Sequence, residues 1–470
     1  MYIAGYQNTA DAESIAIARL NLDGDLDTGF DLDGRVLGTF GQDFGRAYAI
    51  ARAAIGDIYV AGQTSATATG TTNFGLARYN TSGNAVTGFG TNGYVSTGFT
   101  AGVDDKAWDV VIQGDDRIVV ARWTTSNGQI DFAVARYLTD GSLDNSFSND
   151  GKVSIDFNGG EDVIHAIAIQ ADGKIVVAGN AQRETGDNRR IAVARFLANG
   201  ELDPDFNQDG KMEVTLSNGI STTGWDLKIQ PDGRILVCGS SGNGVASLAR
   251  INPNGSMDGS FVNSAGYTTF QWESDPSQTF YGVELQADGK IVCAGYSADD
   301  QGFSNFLVVR FVSDGTLDNS FSGDGAVTTS FNLGVFETAR DIVIQDDNKI
   351  LVGGYYKNDA LENEFALARY HPGPLTIGLV EYDNNPAMVN IYPNPIGDNT
   401  TIEYVLPESS QLTIELQDLR GRVIATFLNG QERSAGKHTL TFEQTGDLAE
   451  GNYLLFFSSP KGRMSVQVSK

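Results

Sequence analysis

The sequence predicts an all-β fold: a β-propeller of four-stranded blades, followed by a small immunoglobulin-like β-sandwich. Three observations carry this. Strand-like segments ending in arginine (IAIAR, FGLAR, FAVAR, IAVAR, VASLAR, FLVVR, FALAR) recur with their arginines at Arg19, Arg78, Arg136, Arg195, Arg250, Arg310 and Arg369, at spacings of 59, 58, 59, 55, 60 and 59 residues. Between them the apolar period is two, which excludes helical repeats. After Arg369 the repeat stops and a different alternating pattern begins.

Each unit reads in the same order. A turn such as Asp140-Gly141-Ser142-Leu143-Asp144-Asn145-Ser146-Phe147 leads to a short strand A, Lys152-Val153-Ser154-Ile155. Strand B follows, Ala166-Ile167-Ala168-Ile169-Gln170, and the turn Asp172-Gly173 returns into strand C, Ile175-Val176-Val177-Ala178-Gly179. Asp-Gly between β-branched runs is a hairpin signal, because both turn positions need positive φ. The Arg-ending segment is strand D. Four antiparallel strands at this period fit a propeller blade. Strands C and D occur seven times but A and B only six, because Met1 opens inside a C strand. Seven blades with one incomplete are expected, completed near Leu375 to Tyr382, with six as the alternative. The predicted domains are 1–371 (propeller), 372–389 (linker) and 390–470 (sandwich).

The DG-S-LD-x-SF turn, the I-x-IQ-x-DG-K-I-V-V-AG hairpin and the A-L-A-R strand resemble the delta-sixty repeat family of bacterial propellers, over about residues 1–370. The resemblance implies a fold and little chemistry. Two departures stand out: Gly83-Asn84-Ala85-Val86 in the second unit, and Arg122 where the third should carry Gly.

Eight residues beyond the strand D arginines comes an acid, giving the pairs Arg19 and Asp27, Arg136 and Asp144, Arg195 and Asp203, Arg250 and Asp258, Arg310 and Asp318; Val86 is the exception. Eleven residues beyond comes Phe30, Phe89, Phe147, Phe206, Phe261 or Phe321. A position repeated in every blade is architecture, so bidentate Arg–Asp contacts and buried Phe anchors are expected. A different column stands ten residues before the first Ile of strand C: Tyr48, Trp108, His165, Trp225, Tyr281 and Arg340. Placed at the start of strand B, it shares a face with the variable C–D loops. Amphipathic rings and Arg there suit carbohydrate or peptide binding. The competing reading is that they only wedge the blades apart.

Bulk properties exclude several classes. A net charge of −27 repels a phosphate backbone and anionic membranes, so no nucleic-acid partner is expected. No apolar run is long enough to form a transmembrane segment. Cys238 and Cys293 cannot form a disulfide scaffold and are expected as buried free thiols, either meeting between blades or separated by one. His165, His371 and His438 are the only histidines and lie far apart, so no catalytic triad, zinc site or other metal centre is assigned. No cofactor is expected. The Asp-rich turns Asp23 to Asp27 and Asp31 to Gly34 invite calcium as a structural ion only, since the EF-hand's terminal Glu and helices are missing. No catalytic residue is assigned, although a carboxylate pair could cleave polysaccharide.

The C-terminal pattern opens with Tyr392-Pro393-Asn394-Pro395 and continues through Thr401 to Val405, Leu412 to Leu416, the Asp418-Leu419-Arg420-Gly421-Arg422-Val423 hairpin and Gly451-Asn452-Tyr453-Leu454-Leu455. With the terminal S-V-Q-V-S-K, these motifs resemble the type A C-terminal sorting domain of the type IX secretion system. The resemblance implies recognition by that translocon and release or attachment at the outer surface of a bacterial outer membrane. It also implies an N-terminal export signal, which Met1-Tyr2-Ile3 does not begin; with the half blade, this suggests that the start is missing. The expected function is a monomeric, secreted or surface-exposed binding protein for a glycan or another extracellular ligand. An extracellular polysaccharide hydrolase or lyase is the first alternative, and a structural or adhesive protein the second.

Overall fold

The computed structural model describes the chain except residues 9–12, 23, 127, 183–188, 217–220, 243, 263, 273–274, 332–335, 359–361, 372–375, 378–386, 393–395, 397–399, 407–408, 419–421, 443–447, 449–450, 460–461 and 470. Met1–Leu317, Val327–Asp346 and Leu351–Arg369 form one compact unit; the second holds Tyr370–Lys470 with Asp318–Ala326 and Asp347–Ile350.

Seven antiparallel blades are present among the described residues. The five complete blades, numbered 2 to 6, begin with Phe44–Arg52, Asp105–Ile112, Val163–Ile169, Thr222–Ile229 and Ser277–Leu285. Strands C and D follow in order, and the outermost place goes to the next unit's strand A, as with Lys211–Val214 in blade 4. A blade is therefore one strand out of phase with the sequence repeat, so the D–A turn closes its own sheet while the A–B loop crosses between blades. Blade 1 holds Tyr2–Asn8, Glu13–Arg19 and Arg35–Gly38, and has no strand B. Blade 7 holds Glu337–Ile344, Ile350–Lys357 and Asn363–Tyr370, with no outer strand among the described residues. The expected completion near Leu375 to Tyr382 does not hold where it can be seen. Thr376–Ile377 pairs with Ala387 and Met388 in another sheet, and the rest of that stretch lies outside the described residues.

The repeated arginine joins each blade to the next. Its Nε meets the acid eight residues on, at 2.7 Å for Arg19 and Asp27, 2.8 Å for Arg136 and Asp144, and 2.7 Å for both Arg195 and Asp203 and Arg250 and Asp258. The expected bidentate contact is replaced by a divided one, because Nη1 donates to a backbone carbonyl of the following unit. Those acceptors are Thr81 for Arg19, Thr139 for Arg78, Ala198 for Arg136, Pro253 for Arg195 and Ser313 for Arg250. Arg369 completes the set by donating to Leu22 of blade 1 at 2.6 Å, which closes the ring across 347 residues of sequence. The repeated Phe lies beneath the guanidinium, 4.4 to 4.8 Å from ring centroid to guanidinium carbon for Phe261, Phe147 and Phe206. All six of these phenylalanines are buried.

A third member of this cluster comes from the C-strand hairpin. Arg117, Lys174 and Arg234, each just after the turn, also reach Asp144, Asp203 and Asp258 at 2.9, 3.0 and 3.0 Å. In blade 2 the polarity is exchanged: the hairpin position is Asp57 and the acid position is Val86. Asp57 Oδ2 takes over, 2.9 Å from both Nε and Nη2 of Arg78. Arg310, buried like its counterparts, donates to Gln286 Oε1, while Asp318 Oδ1 caps its own turn through Ser320. Cys238 and Cys293 are buried free thiols that meet between blades 5 and 6.

In the second unit two four-stranded sheets are present, one ending in Thr400–Leu406 and Gly436–Phe442, the other formed around Ser410–Asp418 and Asn452–Ser459. Ile402, Tyr404, Leu412, Ile414, Leu416, Leu455 and Phe457 share its core, the sandwich expected from the alternation. The turn at residues 419–421 lies outside the described residues, but the strands on either side pair antiparallel.

The exchange at Asp57 and Val86 yields a double-mutant cycle. Asp57→Lys alone leaves Arg78 facing a cation and should lower stability by about 2–4 kcal/mol. Adding Val86→Asp restores the pattern of the other blades and should return the midpoint of urea unfolding to within about 1 kcal/mol of wild type.

Candidate functional site

Neighbouring blades meet around the axis through strand B, and here the six-residue column is assembled. Tyr48 stacks on Trp108 with centroids 4.5 Å apart; Trp108 meets His165 at 6.3 Å, His165 meets Trp225 at 4.2 Å, and Trp225 meets Tyr281 at 5.0 Å. Arg340 lies over the Tyr281 ring at 4.2 Å. Tyr6 of blade 1 adds a seventh member, 6.1 Å from Tyr48. The result is an arc of touching side chains that visits every blade.

The local cause is a β-bulge. In blades 2 to 6 the register between strands B and C slips by one residue at the column position, as between Ala47 and Ala49 or Gly224 and Asp226. The extra residue has no partner on strand C and its side chain is re-aimed toward the axis. The column thus stands midway along strand B, opposite the strand C interior, and not at the strand start beside the C–D loops as the sequence suggested. Strands B begin earlier than their apolar runs, with polar residues such as Arg46 and Lys106. The bulge also explains the strand C glycine. A Cβ at Gly62, Gly179, Gly239 or Gly295 would fall 1.8 to 1.9 Å from a strand B carbonyl oxygen, and one at Gly354 2.0 Å from another.

Three carboxylates follow the column directly, in alternate blades: Asp109, Asp226 and Asp341. Asp109 Oδ2 accepts the Ile167 N–H of the next blade at 2.9 Å and Oδ1 accepts the Val110 N–H at 2.8 Å. Asp226 repeats this with Val283 at 2.8 Å and Leu227 at 2.7 Å. Desolvation pushes Asp109 up to about 7 and Asp226 up to about 8 against the backbone donors, and each is raised further by Asp341. Asp341 moves the same way, again chiefly through desolvation, although the residue is exposed. Lys228, three residues beyond Trp225, pairs with Glu284. On the other side of the arc are cations. Arg46 is paired with Glu13 through Nε at 2.8 Å, Lys106 lies over Trp123, and the Arg122 guanidinium sits 3.7 Å from the Trp108 centroid. His165 is held neutral, lowered to about 3 by burial and then by Arg122, and its Nε2 meets Asn180 Oδ1 at 3.0 Å.

Among the described residues one group of carboxylates could hold a metal ion: Asp131, Asp156 and Asp162, with ligand atoms within 4.8 Å of one another. Asp162 already accepts the Phe157 N–H, the same loop clasp that Asp105 gives Phe99 and Glu337 gives Phe331. The Asp-rich turns suspected of binding calcium are a different place, and there Asp33 accepts the Arg35 N–H. His371 is exposed, and His438 stacks on Tyr404 in the second unit.

Comparison with known proteins agrees with this architecture. Residues 1–30, 56–89, 113–147, 170–206, 230–261, 286–321 and 345–373 match the family model of a domain of unknown function (DUF5122) beta-propeller. Residues 390–469 match the secretion system C-terminal sorting domain. The chain is a repeat β-propeller with a secretion sorting tail. The tail marks the propeller for export by the type IX system, to the medium or the outer surface. No curated protein matches the chain. Among solved structures, PorZ, a surface component of the type IX secretion system of Porphyromonas gingivalis, is 14% identical with a TM-score of 0.31, covering 99% of this chain and 65% of its own. A protein of unknown function from Dyadobacter fermentans is 12% identical with a TM-score of 0.42, covering 69% of this chain and 94% of its own. The α-L-arabinofuranosidase Arb93A of Fusarium graminearum is 8% identical with a TM-score of 0.39, covering 69% and 92%.

All six column residues foreseen from the sequence come together in the propeller. Tyr6 was missed, because it belongs to strand C and takes a strand B role only where blade 1 has none. The three aspartates were legible as the residue after the column in alternate units, but nothing in the sequence said that they interact across blades.

The partly buried Asp109 and Asp226 set the sign of a pH dependence. Their folded values lie above the ordinary carboxylate value, so the native state binds the extra protons. Stability they contribute at low pH is lost as pH rises from about 4 through 8. Asp226→Asn should therefore flatten the fall in the urea midpoint between about pH 5 and 9. An equally steep fall would exclude Asp226 as its source.

Proposed function

We propose that the protein is an exported recognition protein, not an enzyme, that binds an extracellular ligand at the axial arc, with a glycan as the leading class. The observation that carries this reading is the unbroken series Tyr48, Trp108, His165, Trp225, Tyr281 and Arg340, delivered to one place by a bulge repeated from blade to blade. The rings spend part of their faces on one another, which leaves edges and polar tips (Tyr O–H, indole N–H, guanidinium) for a ligand rich in hydroxyl groups. The sorting tail hands the chain to the type IX translocon and is removed there, leaving the propeller at the surface or in the medium.

A second reading, a polysaccharide hydrolase or lyase, is favoured by the electrostatically coupled carboxylates Asp109, Asp226 and Asp341 beside the arc, two with values in the range of a proton donor at neutral pH. Against it, both oxygens of Asp109 and of Asp226 are already held by backbone N–H groups. They act as staples between adjacent strands B.

A glycan and polysaccharide binding screen on the full chain tests the proposal. Trp108→Ala with Trp225→Ala should weaken binding about tenfold or more. Trp108→Phe with Trp225→Phe, which keeps the packing and removes both indole donors, should lose part of it. Binding by neither variant's parent, or equal binding by all three, would return the arc to packing alone. Product release that disappears in Asp226→Asn would instead favour the enzyme.

A further inference from the structure

Arg122 stands where the repeat's geometry leaves no room for a side chain. Its counterparts in strand C are Gly62, Gly179, Gly239, Gly295 and Gly354, each facing a strand B carbonyl at less than van der Waals distance from any added Cβ. Blade 3 keeps the same bulge at Trp108, with Ala107 opposite Arg122, yet carries the largest cation there. The guanidinium is desolvated, which lowers it to about 10, and its Nε and Nη1 are buried with no hydrogen-bond acceptor among the described residues. Folding gains little from such a group, because a buried charge without a counter-charge is among the more expensive arrangements. The Trp108 face returns only part of that.

Two further cations stand near it. Tyr48 stacks on Trp108 beside it and takes a hydrogen bond from Arg46, whose carboxylate partner is Glu13. Lys106, on the paired strand, is lowered first by burial and then by Arg122, against the opposing pull of Asp104. His165 feels Arg122 and remains neutral. In a chain of net charge −27, this is a local excess of positive charge lined by two aromatic rings.

We propose that Arg122, with Arg46 and Lys106 near it, receives the anionic group of the ligand beside the Tyr48–Trp108 stack, and that the ligand is an acidic saccharide bearing a carboxylate. The inference rests on the reading of the arc as a recognition site and adds the charge of what it recognises. A planar guanidinium offers N–H donors matched to a carboxylate, and the ring edges beside it are left for the sugar that carries the acid. It also accounts for the loss of glycine in one blade only: a single polar anchor orients a ligand along an otherwise repetitive arc.

The decisive variant is Arg122→Gly, which restores the repeat's own residue. It should raise the thermal midpoint, since it removes a desolvated cation whose Nε and Nη1 have no acceptor among the described residues. Full-length wild type is titrated with trigalacturonate, its neutral methyl ester and sodium sulfate, read by tryptophan fluorescence and calorimetry. Trigalacturonate should bind with an affinity that falls with salt, the ester about tenfold or more weakly, and Arg122→Gly should lose about tenfold or more for the acid while gaining stability. Sulfate binding as tight as the saccharide's would make the site a receptor for free inorganic anions and overturn the saccharide assignment. A destabilised Arg122→Gly that still binds the acid would make the arginine structural and overturn the proposal. Neutral glycans that bind while trigalacturonate is ignored would overturn the anion assignment and leave the arc's recognition role standing.

Discussion

The guanidinium at the end of strand D is the interaction on which the propeller depends. A propeller blade has two wide faces that must be covered by its neighbours, and the contact between faces is largely non-directional apolar packing. That packing does not fix how one blade is turned against the next. Arg136 does: Nε holds Asp144 of its own unit, and Nη1 holds Ala198 of the following one. Five such links to the following unit occur in order, and Arg369 joins the last blade to the first. Because the guanidinium is planar with donors in a fixed fork, each link carries an angle as well as a distance. The exchange at Asp57 and Val86 shows what is being kept. The carboxylate's place in sequence has moved, while its place beside the arginine has not.

The bulge in strand B is the second constraint and the source of the site. A regular strand would alternate its side chains between the two inter-blade cores and leave nothing pointing along the axis. The slip of register frees one side chain per blade, and ring order around the axis then makes neighbours of residues about sixty positions apart. The same slip demands glycine on strand C. A bulky residue at that place is therefore a departure with a reason, and Arg122 is the one departure among the glycines opposite a bulge.

Charge is partitioned within this acidic molecule. The acids at the arginine links each meet two cations and sit below the ordinary carboxylate value: Asp144, Asp203 and Asp258 are lowered by donors and cations that outweigh burial. These contribute stability that is lost as pH falls. The aspartates beside the axis behave in the opposite sense, since burial there outweighs two backbone donors. Opposed signs on the two sets narrow the pH range of greatest stability from both sides.

The repeat, the four strands, the arginine and its acid, the buried Phe and the sandwich tail were all legible in the sequence. Each is a local regularity copied at fixed spacing, and copying makes pattern visible without a structure. The column was legible for the same reason, and its six residues are the ones that meet. Tertiary structure alone decided the rest. It moved strand A to the preceding blade, divided each arginine between two units, set the column at a bulge midway along strand B, and gave Tyr6 a place in the arc. It also coupled Asp109, Asp226 and Asp341 electrostatically and left Nε and Nη1 of Arg122 without an acceptor among the described residues. The reason is physical: a sequence records periodicity along the chain, whereas closure of a ring creates contacts across it, and those depend on angles between blades that no spacing contains.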